Sequence, residues 1–116
     1  MKSFLSSVKN AIHGIWAGIS DQRNLKVQIA IALIVIGAGF FLRITSYEWC
    51  MVLICMGLVI GLEMINSAIE NLVDLVTLER KPLAGKIKDI AAGAVLFVSI
   101  ISLIVGVIIF RKYLVG

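Results

Sequence analysis

An all-α integral membrane fold, with one amphipathic surface helix followed by three membrane-crossing helices, is what this sequence predicts. Three observations carry the prediction. The chain has 116 residues, 60% of them hydrophobic, more apolar surface than a water-soluble domain of this length needs. Three segments, residues 25–42, 47–78 and 88–111, each hold the ~20 largely apolar residues that a bilayer crossing requires. Basic residues alternate between the two sides of those segments. Lys2, Lys9, Arg23 and Lys26 precede the first, and Arg80, Lys81, Lys86 and Lys88 lie between the second and third. Only Arg43, Arg111 and Lys112 fall opposite. The positive-inside rule then places the N-terminus in the cytosol and the C-terminus outside, in a multi-pass membrane protein. The net charge of +4 sets topology and meets anionic lipid, so no nucleic-acid partner is expected. With no repeat, linker or low-complexity tract, residues 1–116 form a single domain.

Residues 1–20 are the surface helix. At about 100° per residue, Phe4, Leu5, Val8, Ile12, Ile15, Trp16 and Ile19 share one arc, while Lys2, Ser3, Ser6, Lys9, Asn10 and His13 take the other face. Such a helix lies along the bilayer interface, and the lone His13 is a solvated side chain. The apolar residues here are spaced out, so no cleavable signal is expected. Residues 21–24 make a turn into the first span. Residues 43–48 form a tight external turn, with Tyr47 and Trp49 suited to the headgroup level. Cys50 and Cys55 point in different directions on the second span and do not pair. Gly57 and Gly61, like Gly14 and Gly18, allow close helix approach. Residues 79–88, with Pro82 and Gly85, form the cytosolic loop before the last span.

The second span ends in GLEMINSAIENLVDL, residues 61–75. With Glu63 as zero on a helical wheel, Asn66, Ser67, Glu70 and Asp74 fall at roughly −60°, +40°, −20° and +20°, so all five share one face. Ionisable residues in a membrane mark functional sites by default. Glu63 is deepest. A carboxylate in apolar surroundings becomes a better base, and such a base suits a hydroxyl. Glu70 is placed to hold a hard cation such as Mg²⁺ through oxygen. Lys88 and Asp89 can meet the same site, lysine serving as a point charge for phosphate. The plainer reading, Glu70 and Asp74 in solvated ion pairs with Lys86 and Lys88, fits Asp74 and fails for Glu63, about two turns deeper. The chain has no GxxxxGK[ST] loop, no kinase glycine loop and no His/Cys cluster for zinc. Several acids between three spans are better shielded in an oligomer.

GLEMINSAIENLVD resembles the signature of the prokaryotic diacylglycerol kinase and undecaprenol kinase family, and KDIAAGAVL resembles its second signature. The resemblance covers nearly the whole chain. It implies a homotrimer with active sites between protomers at the cytosolic interface, transferring the γ-phosphate of MgATP to the hydroxyl of a membrane lipid, undecaprenol or diacylglycerol. On the matching positions Glu63 would be the general base and Asn66 would support it. Glu70 would bind the metal bridging the ATP phosphates, and Asp74 would lie beside the nucleotide. Lys88 and Asp89 would contact ATP, and Glu79, Arg80 and Lys81 match the loop that closes over it. Gln22 stands where the family carries a glutamate as second metal ligand; it keeps the oxygen and loses the charge. Gln28 is an amide at a further carboxylate position. Asn10 stands at a tyrosine position near the nucleotide, Ser3 at an arginine position and Ala92 at a serine position. The wording AAGAVL and PLAGKIKD leans toward the undecaprenol kinase branch. Two alternatives remain at this point: a catalytically impaired member with a structural or regulatory role, and a small proton-coupled transporter, which would call for four spans.

Overall fold

Four helices account for nearly all of residues 2–115, the part of the chain described by the computed structural model. They are α1 (Lys2–Asp21), α2 (Arg23–Leu42), α3 (Ser46–Val76) and α4 (Pro82–Val115). The described residues contain no strand. The last three helices are long and apolar enough to cross a membrane. Their large side chains face outward, Phe41 being 85% exposed and Leu103 69%. A protein in water would hide such groups, whereas hydrocarbon solvates them. This is a membrane protein. α1 has no buried residue.

The connections are shorter than the sequence suggests. The turn expected over residues 21–24 is a single extended residue, Gln22, at φ −110° and ψ 116°. Its N–H donates to the Gly18 carbonyl at 3.0 Å, and its own carbonyl accepts from the Lys26 N–H at 3.2 Å. α2 ends on Arg43 in the left-handed region, at φ 55°. The following N–H, of Ile44, then reaches the Gly39 carbonyl at 3.2 Å and satisfies one of the last carbonyls of the helix. α3 opens on a capping box. The Glu48 N–H donates to Thr45 Oγ1 at 3.2 Å, and the Thr45 N–H donates to Glu48 Oε1 at 2.9 Å.

The boundaries of the last two helices need correction. α3 stops at Val76, two residues short of 78, because Thr77 is extended at φ −157°. α4 begins at Pro82 and not at 88. Proline ends a helix but opens one well: its ring presets φ, and its missing N–H would have no partner in the first turn. The loop expected over residues 79–88 is therefore only residues 77–81, and Gly85 lies within α4.

α3 and α4 run antiparallel, and two ion pairs set their register. Lys88 Nζ lies 2.6 Å from Asp74 Oδ1 at one end, and Lys112 Nζ lies 2.6 Å from Glu48 Oε2 at the other. Beside the second pair, Ile44, Val52 and Ile109 form a small core with Trp49, Met56, Phe110 and Tyr113 around it. α2 joins this end through Gly39. A Cβ there would lie 2.7 Å from the Trp49 ring, so the close approach of α2 to α3 requires glycine. Near the opposite end Leu25, fully buried, packs 3.2 Å from where a Cβ of Gly18 would stand, which draws the end of α1 in against α2. Cys50 and Cys55 are both free thiols.

Candidate active site

The stripe on α3 survives folding as one face, graded from buried to open. Glu63 is 4% exposed, and Asn66 and Ser67 are buried with it. Glu70 is half-buried and Asp74 exposed. Helix periodicity creates the grading, because each residue at i+3 or i+4 stays on the face while it climbs toward the helix end. Asn66 Oδ1 is enclosed and has no hydrogen-bond partner among the described residues. A buried oxygen left so is costly, about 1–3 kcal/mol, and native chains keep such an atom where something else uses it.

Above the stripe, Asp74 and Lys88 form their 2.6 Å pair. Of the two lysines in the plainer reading, Lys88 is the one that pairs with Asp74. The short loop stands over them. Asp74, Glu79, Arg80, Lys81 and Lys88 line one cavity of about 520 Å³ together with Thr77. The Glu79 N–H donates to Thr77 Oγ1 at 3.1 Å and gives the loop its bend. Lys81 lies 3.9 Å from Glu79 with both side chains largely exposed, a pair worth little in water. Among the described residues Arg80 has no carboxylate partner. The cavity therefore offers three cations beside a short loop, and an anionic ligand with several oxygens suits it.

The remaining expected residues lie outside this cavity. Asn10 is exposed on α1, and Asp89 is exposed on α4. Gln22 is half-buried at the α1–α2 joint, and its side chain makes no capping bond to α2. No group of three or more His, Cys, Asp or Glu is gathered among the described residues, so any metal would take few ligands from this chain. Mg²⁺ accepts that: it keeps several waters and needs one or two carboxylates with phosphate oxygens. Glu70 is a half-buried carboxylate on the stripe, and Gln22 offers a neutral amide oxygen from the α1–α2 joint.

One polar cluster had not been foreseen. At the far end of α3 and α4 the buried Glu48 carboxylate accepts from Tyr113 Oη, from the Thr45 N–H and from Lys112. Its partner on α4 is 65 residues away, beyond the reach of any local pattern. The T-x-x-E of the capping box, Thr45 to Glu48, was the one readable signal of it.

Residues 9–110 match the family model described as prokaryotic diacylglycerol kinase. An undecaprenol kinase of Bacillus subtilis (strain 168) is 38% identical over 110 residues, covering 95% of this chain and 89% of the relative. A diacylglycerol kinase of Haemophilus influenzae is 30% identical over 107 residues, covering 91% of each. A diacylglycerol kinase of Helicobacter pylori (strain J99) is 34% identical over 106 residues, covering 91% of this chain and 77% of the relative. The matched stretch takes in the whole polar face of α3, the short loop and the start of α4, where the buried acid and the cationic cavity lie, and the chain belongs to the prokaryotic diacylglycerol kinase family as a membrane lipid kinase.

Proposed function

We propose that this kinase transfers the γ-phosphate of MgATP to the hydroxyl of a membrane lipid at the cytosolic interface, with Glu63 as general base. The observation that carries the reading is the graded face of α3. A buried carboxylate and an unpartnered amide oxygen lie at one end of it, and a cationic cavity lies at the other. Phosphoryl transfer asks mainly for positioning, charge neutralisation and a base, and that face offers all three.

Glu63 takes the proton from the lipid hydroxyl, and the freed oxygen bonds to the γ-phosphorus. The bond from that phosphorus to the β–γ bridging oxygen breaks, and ADP leaves with the electron pair. Asn66 orients the hydroxyl through its free Oδ1. Lys88, Arg80 and Lys81 hold phosphate oxygens, Asp74 keeps Lys88 aimed, and Glu79 sets the rim. Asp89 and Asn10 approach the nucleotide from α4 and α1. Glu70 and Gln22 would hold Mg²⁺, which when bound supplies charge neutralisation on the phosphates. The two basic groups, one before the first span and one between the second and third, support an inner-membrane orientation with the N-terminus in the cytosol. The exposed apolar side of α1 supports its lying along the bilayer surface. The thin enclosure around the acids supports a homotrimer, with each site completed by a neighbour. The wording AAGAVL and PLAGKIKD favours a polyprenol acceptor over diacylglycerol.

The test follows radiolabel from γ-labelled ATP into extractable lipid, with undecaprenol and diacylglycerol side by side. Glu63→Gln should abolish transfer while nucleotide still binds, and Glu70→Gln should also weaken Mg²⁺-dependent nucleotide binding. Near-normal turnover in Glu63→Gln would remove it as the base. Labelling by the unaltered chain also decides against the impaired-member alternative. The transporter alternative required four spans, and the described residues hold three candidates.

A further inference from the structure

The end of the fold opposite the polar stripe carries a charge imbalance that the chain itself does not settle. Arg43, Arg111 and Lys112 gather there, and Glu48 is the only acidic residue between positions 22 and 62 or beyond 89. Glu48 is already engaged: Lys112, Tyr113 and the Thr45 N–H all converge on its carboxylate. Arg43 and Arg111 are exposed, and among the described residues neither has a carboxylate partner.

The two arginines share one root. Leu42 and Ile44, at the end of α2, pack into the same small core as Ile109, Phe110 and Tyr113 of α4. Arg43 sits between the first two, and Arg111 between Phe110 and Tyr113, so both are anchored at one depth. Local structure does not ask for arginine at 43. That residue makes the left-handed turn ending α2, at φ 55°, where glycine or asparagine fits best. Topology does not ask for it either, since cations on the side away from the cytosol run against the positive-inside rule. Tyr47, 85% exposed, and the half-buried Trp49 mark this end as headgroup level.

We propose that Arg43 and Arg111 together bind the phosphate of an anionic phospholipid in the leaflet away from the kinase site. A guanidinium grips phosphate oxygens in pairs, where an ammonium acts only as a point charge. A second copy of the chain offers no counter-charge, because its only acidic side chain at this end is the same engaged Glu48. A zwitterionic headgroup carries its own ammonium and neutralises the arginines less well. The acyl chains of the bound lipid stay in the surrounding leaflet, and the site takes no part in phosphate transfer.

The test reads lipid selectivity at that end through tryptophan fluorescence. Trp49 packs on the same core, and Trp16→Phe leaves it as the one reporter. The full chain is reconstituted in mixed bilayers at physiological salt, with bromine on the acyl chains of either phosphatidylglycerol or phosphatidylcholine. Brominated phosphatidylglycerol should quench Trp49 at an at least roughly tenfold lower mole fraction. Arg43→Asn keeps a residue suited to the turn, and Arg111→Gln keeps a long polar side chain. Each should lower the preference on the order of fivefold, and the two together should abolish it. Arg23→Gln with Lys26→Gln removes two cations at the other interface and should leave it unchanged. Equal quenching by the two lipids would overturn the proposal. So would a preference that survives loss of both Arg43 and Arg111, or one that disappears with Arg23 and Lys26. No outcome depends on turnover, so the kinase reading is tested separately.

Discussion

At Asn66, function and stability pull in opposite directions. Its Oδ1 is buried and unpartnered, which lowers stability by about 1–3 kcal/mol relative to an apolar residue of similar shape. Asn66→Leu should therefore raise resistance to unfolding in detergent, by about 1 kcal/mol, while phosphate transfer falls more than tenfold. Denaturation curves and radiolabel transfer on one preparation check both halves; a loss of stability in the variant would mean the oxygen has a structural partner. Gln22 offers the complementary case. In the proposed site it would offer a neutral oxygen where a carboxylate would hold a hard cation better. Gln22→Glu should lower the Mg²⁺ concentration for half-maximal activity several-fold, read by titrating Mg²⁺ at fixed ATP. Asn66 was legible beforehand because i+3 and i+4 spacing places it on one face with Glu63, Glu70 and Asp74, whereas Gln22 stood out only through the family resemblance. The buried carboxylate of Glu48 was not, since Tyr113 and Lys112 come to it from another helix.

At the scale of the helices, the spans followed from apolar length, and their ends depended on local chemistry. Pro82 was read as part of a loop, yet it serves as the first residue of α4. The same ring that breaks a helix from within prepares one at its start. Gly39 was not singled out at all, because only the packed structure places Trp49 against it. Gly39→Ala drives a Cβ to 2.7 Å from a ring already held by the core at that end. A destabilisation of about 1–3 kcal/mol is expected, measured by thermal unfolding in detergent, with Gly37→Ala neutral or slightly stabilising as the control. Thr45→Ala removes half of the capping box and should cost about 0.5–2 kcal/mol in the same measurement.

As a whole molecule, three helices enclose the acids on α3 only partly, and Glu70 and Asp74 remain accessible. Native mass spectrometry from detergent should find three copies per particle, and a monomeric, fully active particle would refute shared sites. The joint between α1 and α2 has a mechanical consequence. One extended residue, Gln22, links a helix expected along the bilayer surface to one that crosses it. A 20-residue crossing adapts to thinner hydrocarbon by tilting, and a one-residue joint has little slack to absorb the tilt. Gln22 would then swing relative to Glu70 as the membrane thins. If Gln22 and Glu70 hold the cation as proposed, bilayer thickness controls its affinity, so the Mg²⁺ requirement should change when the enzyme is moved between short- and long-chain phospholipids at constant ATP.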